Sequence, residues 1–183
     1  MRSSLKFQKV GSIQTERVDL ATYEERAAAL RLPAKVLLEM QKYPEAYLIF
    51  LSPVLTSFCW KGTRYEFSFD KGYMTDFGSV PPIFRSFIDN DDPHAIFAFL
   101  IHDALYQTRC LEVDPNIPTE SCWREANRIM YELLKDGGVN VASSLLATVG
   151  VMTGVGWREY KTRSLFDLEI IKAVKTSHLC ARF

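Results

Sequence analysis

The sequence has no excess of charge of either sign: lysine plus arginine and aspartate plus glutamate each total 22 in 183 residues. Near neutrality lacks the basicity expected of a nucleic-acid binder, and no nucleic-acid partner is expected. Cysteine is scarce. Cys59, Cys110, Cys122 and Cys180 form no C-x-x-C pair and no zinc-ligand spacing. Cys110 and Cys122 bracket a loop and could close a disulfide. Free thiols are the preferred reading for a domain this large with no secretion signal. The opening stretch, MRSSLKFQKVGSIQTERVDL, has no apolar h-region, so no signal peptide is expected. There is no Walker loop, no G-x-S-x-G and no H-E-x-x-H. Internal repeats and low-complexity tracts are also missing.

Long apolar runs are nearly absent, with one exception. VNVASSLLATVGVMTGVGW, Val139 to Trp157, is free of charged side chains. Its length is close to the roughly 20 residues a spanning helix needs. Asn140, the serines, the threonines and the glycines keep its hydropathy modest. It reads as a buried helix or helix pair, and no transmembrane span is expected.

What is present suffices for a core: 48% of the residues are hydrophobic. Residues 1–45 read as an N-terminal arm followed by helices. Thr22 caps the first, Thr22 to Leu32, and Pro33 opens the second. Residues 46–160 read as the core domain, and 161–183 as a polar tail with helical potential. YLIFLSPVLTSFCW and TRYEFSF are rich in β-branched and aromatic residues and predict a small β-hairpin or meander over 47–70. Asp91 or Asp92 caps a helix that opens at Pro93 and runs to about Arg109. Thr119 or Ser121 caps another, which ends at Gly137-Gly138. The fold class expected is α+β, mainly α, around a central antiparallel helix pair.

The chemistry candidates lie on these elements. FLIHDALYQTRC places His102 and Asp103 in an apolar helix, where ionisable groups are costly unless paired or used. His102 and Tyr106 are one turn apart and share a face. Asp103 lies about 100° around the helix from His102, so the two do not form a relay pair. The spacing suits a general base beside a metal ligand. The bland alternative is a core histidine bonded to backbone. On the next helix Trp123, Ala126, Asn127, Met130 and Leu134 make one apolar stripe, and Asn127 is its polar member. Its partners could be His102 and Tyr106, a backbone carbonyl or a buried water. Arg124 and Glu125 fall off the stripe. In MTDFGSVPP, Asp76 sits in a glycine-bearing loop able to aim carbonyl oxygens inward. With Asp103 it makes a partial calcium set, or it simply holds an Asx-turn. A His-Asp phosphohydrolase would need further histidines, and only His94 is near.

TDFGSVPP, FLIHDALYQ and REANRIMYELL, in that order, resemble an uncharacterised family of bacteriophages and prophages known only as a domain of unknown function. Its pattern is T-D-F-A-S-I-P, H-D-x-L-Y and E-A-D-x-x-F. The order is also similar to that of small prokaryotic secretory phospholipases A2. The resemblance covers about residues 70–157. It implies a phospholipase A2-like core and a calcium cofactor. It implies His102 as the base that activates water, Asp103 and Asp76 as calcium ligands with the Phe77 carbonyl, and Tyr106 supporting the residue that orients the histidine. Asn127 falls where both patterns carry aspartate. The expected function is a calcium-dependent lipid ester hydrolase or a degenerate relative, with a lipid or membrane surface as partner. The alternative is a virion or tail protein that binds other phage structural proteins, found in the virion or host cytoplasm.

Overall fold

The computed structural model describes residues 8–10, 15–18, 47–50, 53–70, 73–75, 93–109, 111, 118–153, 156–158, 160 and 171–176. The helices expected at 22–32 and 33–43 and the cap at Asp91 or Asp92 lie outside these residues. The architecture is α+β, and helix exceeds strand among the described residues.

The β part is larger than a hairpin. Strands β1 (Gln8–Val10), β4 (Val54–Trp60), β5 (Thr63–Phe69) and β7 (Ile171–Thr176) form an antiparallel sheet in the order β1-β4-β5-β7. A second antiparallel sheet has the order β2-β3-β6, from Thr15–Val18, Tyr47–Phe50 and Met74–Thr75. The single element expected at 47–70 is therefore split, with β3 in one sheet and the β4–β5 hairpin in the other. Strand propensity marks the segment, but the pairing partners come from distant stretches that local pattern does not reveal. The polar tail, expected to be helical, instead supplies β7, which pairs with β5 from Phe69↔Ile171 to Arg64↔Thr176.

The hairpin turns at Lys61 (φ 48°) and Gly62 (φ 80°). Two consecutive positive φ angles twist the turn in the sense that right-twisted strands require. Alternation then sorts the faces: Val54, Thr56, Phe58, Trp60, Tyr65, Phe67 and Phe69 point inward and are buried. Phe58 stacks on Tyr65 at 5.2 Å and on Phe67 at 6.1 Å, measured between ring centroids. Each such side chain stabilises the fold by about 1.5–3 kcal/mol through burial.

Three helices complete the core: α1 (Pro93–Thr108), α2 (Thr119–Asp136) and α3 (Val141–Val151). Pro93 is the first helical residue of α1, as its fixed φ favours. The helix ends at Arg109, whose φ of 46° leaves the helical region while its N–H still bonds Leu105 O at 3.1 Å. α1 is buried on nearly every side and forms one continuous core with the inner sheet face and α2. α2 is strongly two-faced, with Trp123, Ala126, Asn127, Ile129, Met130, Leu133 and Leu134 buried. The expected Thr119 or Ser121 cap is absent. Pro118 occupies the cap position without a side-chain bond, and its carbonyl instead accepts from the backbone N–H of Ser121 and Cys122.

Arg124 is exposed and paired with Glu120, while Glu125 bonds Trp60 Nε1 and Lys61, tying α2 to the hairpin tip. Cys122 is a buried thiol, not part of a disulfide, that donates to Leu111 O. That contact puts the start of α2 beside the end of α1, so the pair is antiparallel. Cys59 is disulfide-bonded, against the expectation of free thiols, and its partner lies outside the described residues.

Candidate functional site

The antiparallel pair brings His102, Tyr106 and Asn127 together. His102 Nε2 lies 2.9 Å from Asn127 Oδ1, and Tyr106 Oη donates to the same oxygen at 2.8 Å. The two rings lie 4.1 Å apart between centroids, as residues one turn apart on a helix allow. A carbonyl oxygen accepts only, so His102 Nε2 must carry a proton to bond it. In the neutral ring Nδ1 is then the proton-accepting nitrogen. This tautomer follows from the hydrogen-bond partners.

His102 is 6% exposed and Asn127 is fully buried. The Asn127 Nδ2 atom has no hydrogen-bond partner among the described residues. Turning the amide over would leave the oxygen unpartnered instead. A buried amide end without a partner costs about 1–3 kcal/mol.

Asp103 takes a different direction. Its Oδ1 is 3.9 Å from His102 Nδ1, beyond hydrogen-bond range. Asp103 is 4% exposed and shares a face of α1 with Gln107, one turn further on. Gln107 Oε1 accepts from Tyr73 Oη at 2.8 Å. Tyr73 is fully buried, packs at a tilt against Phe69 at 4.7 Å between ring centroids, and leads directly into β6 at Met74–Thr75. One face of α1 therefore meets α2, and the adjacent face meets the chain that runs into Asp76. Asp76 and Phe77 themselves lie outside the described residues. Among the described residues no group of three His, Cys, Asp or Glu could hold a metal. His102, Asp103 and Tyr106 each make a further interaction that reaches beyond the described residues.

Local sequence pattern missed two supports. Tyr73 and Gln107 tie the chain just before β6 to α1; the signal available was the 103/107 spacing on α1. Tyr160 closes the back of Tyr106 edge-on at 4.8 Å, and its carbonyl accepts from Arg109 Nη2 at 3.0 Å. Trp157 bridges Tyr160 at 6.1 Å and Trp123 at 5.2 Å. No periodic pattern around 157–160 announces these contacts.

Tyr73→Phe tests the anchor. Removing the hydroxyl leaves the Gln107 oxygen buried without its donor and should destabilise the protein by about 1–2 kcal/mol. The readout is the urea unfolding midpoint; an unchanged midpoint would show that this bond does not hold the start of β6 to α1.

No curated protein and no solved structure matches the chain. One family model does, over residues 53–151, from just before β4 to the last residue of α3. It takes in the hairpin and helices α1, α2 and α3, so it begins earlier in the chain than the stretch that carries the motif resemblance. The match spans more than half of the sequence, and the chain belongs to the family described as protein of unknown function (DUF1353).

Proposed function

We propose that the chain is a phospholipase A2-like protein of bacteriophage type: a calcium-dependent lipid ester hydrolase whose activity is attenuated by Asn127. The observation that carries this reading is the convergence of His102 and Tyr106 on one oxygen of Asn127, with Asp103 buried one turn before Gln107, which Tyr73 bonds just ahead of β6.

His102 Nδ1 takes a proton from water as the water attacks an ester carbonyl. Asn127 Oδ1 holds the Nε2 proton and keeps the ring in the tautomer that leaves Nδ1 basic. Tyr106 fixes Asn127 in turn, and Tyr160 packs behind Tyr106. Burial excludes competing water from the His102–Asn127 bond, which strengthens it.

The residues the motif resemblance implies, Asp103, Asp76 and the Phe77 carbonyl, offer oxygen donors of the kind a hard cation takes. A calcium ion held by these groups would supply polarisation of the ester carbonyl and charge stabilisation at its oxygen. Asn127 departs from the pattern: an amide orients the imidazole but gives the imidazolium no opposing charge. Low turnover follows.

The test is hydrolysis of phospholipid in mixed micelles with millimolar calcium, compared with His102→Gln. The wild type should hydrolyse measurably and lose that activity on calcium chelation, while the variant falls at least about a hundredfold. Equal rates for wild type and variant would refute the enzyme reading.

Asn127 also favours a second reading, a non-catalytic virion or tail protein built on the same core and binding other phage structural proteins. A fixed copy number in purified particles, with no hydrolysis, would support it. Detection only in the cytosol of infected cells would count against it.

A further inference from the structure

Helix α3 is built inside out. Its buried face carries Ser143, Ser144, Ala147, Thr148, Gly150 and Val151. Its exposed large side chains are Val141, Leu145, Val149 and Met152, between 44% and 59% accessible. At 100° per residue these four fall within an arc of about 80°. An ordinary surface helix shows the reverse distribution.

The inward hydroxyls have local partners. Ser144 Oγ donates to Asn140 O at 3.0 Å, and Thr148 Oγ1 donates to Ser144 O at 2.8 Å. Asn140 caps the helix, accepting from Ser143 N at 2.9 Å and donating to Ser143 Oγ at 2.9 Å. Polar side chains that bond their own helix can face a packed interior at low cost. Their small size also permits close approach to α2.

Small residues inward, self-bonded hydroxyls and large aliphatics outward form the distribution of a helix whose outer solvent is hydrocarbon. No charged side chain interrupts Val139 to Trp157, so sinking the outer face removes no charge from water. At 11 residues the helix is too short to cross a bilayer, and no helix of the described residues is long and apolar enough to do so.

A second copy fits the stripe less well. Four half-exposed side chains present on the order of 350 Å² of apolar surface, against about 800 Å² per partner in a standard stable interface. Immersion in an interface has no such minimum, because every exposed aliphatic contributes independently.

We infer that the Val141–Leu145–Val149–Met152 face of α3 is a membrane-docking surface that lies in the outer layer of a phospholipid bilayer. The lipid partner agrees with the proposed function, but the inference rests on the composition of α3 and does not require hydrolysis.

The experiment is co-sedimentation of the full chain with phosphatidylcholine vesicles. It compares wild type, Leu145→Asp/Val149→Asp and His102→Gln, with far-UV circular dichroism and sedimentation velocity on each. Both altered positions in the double variant are exposed, so its helicity should match wild type. Wild type and His102→Gln should bind alike, and the double variant should bind at least about tenfold more weakly.

Three results would overturn the inference. One is failure of wild type to sediment with vesicles, and another is a folded double variant that binds as tightly as wild type. The stripe would also be reassigned if wild type were a dimer in velocity runs, failed to bind vesicles, and became monomeric on the double substitution. Vesicle binding by a wild type that hydrolyses no phospholipid would count against the catalytic reading alone. If the double variant misfolds, Leu145→Ser, which removes the aliphatic side chain without adding charge, decides by the same binding comparison.

Discussion

Replacing Asn127 by aspartate is expected to raise phospholipid hydrolysis at least about a hundredfold over wild type, with calcium present. His102 Nε2 and Tyr106 Oη already converge on Oδ1, at 2.9 Å and 2.8 Å. A carboxylate of nearly the same shape accepts both bonds without rearrangement. A second carboxylate oxygen takes the place of Nδ2, which has no partner among the described residues. The new charge stabilises the imidazolium that forms when His102 takes a proton. In serine-protease triads, loss of the corresponding carboxylate costs about 10⁴ in turnover. Restoring one to a site that holds an amide should recover part of that factor. Burying a carboxylate has a cost, offset here by two charge-assisted hydrogen bonds. The measurement is initial rate in mixed micelles, with circular dichroism as the folding control. A folded Asn127→Asp protein that is no faster than wild type would leave the site without a catalytic role for His102.

Gly156→Ala should lower the thermal midpoint by about 10 °C. A Cβ at this position would overlap the carbonyl oxygen of Val151, the last residue of α3. Backbone cannot rotate aside as a side chain can, so the helical turn at 156–158 would be pushed off α3. That turn carries Trp157 against Trp123 at 5.2 Å and leads to Tyr160 against Tyr106 at 4.8 Å. Overpacking against a fixed element costs about 3 kcal/mol. For a domain of this size each kcal/mol shifts the midpoint by about 2–4 °C. A melt within about 2 °C of wild type would show that the turn can move away from α3 freely.

The helix pair was legible because both helices announce themselves locally. α1 begins at a proline after an acidic stretch, and α2 carries a regular stripe that ends at two glycines. The meeting of Asn127 with His102 and Tyr106 was legible as one of several alternatives, since an inward amide needs partners and two candidates lay on the neighbouring helix. That His102 and Asp103 do not bond each other was legible from helical spacing alone.

Other features were not. β7 was read as polar tail, because IKAVKT shows weak alternation and its partner β5 lies about a hundred residues earlier. The break between β3 and β4 is marked only by Pro53 within a run otherwise rich in strand formers from Tyr47 to Trp60, and that single residue does not say that the two strands join different sheets. The charge-free stretch after Val139 was read as buried, yet α3 keeps its largest aliphatics outside. Composition gives the hydropathy of a helix but not its rotation about its own axis.

The sequence by itself determined which residues share a face: 102 with 106, 103 with 107, and 123, 126, 127, 130 and 134 together. Those relations depend only on the 3.6-residue helical repeat, which any helix over these segments must obey. Only the tertiary structure decided what each face meets. Placing Asn127 Oδ1 between two donors, Tyr73 against Gln107 and Tyr160 behind Tyr106 requires contacts between segments 21 to 54 residues apart. Those contacts are selected by packing of the whole core, which a local stretch of sequence does not encode.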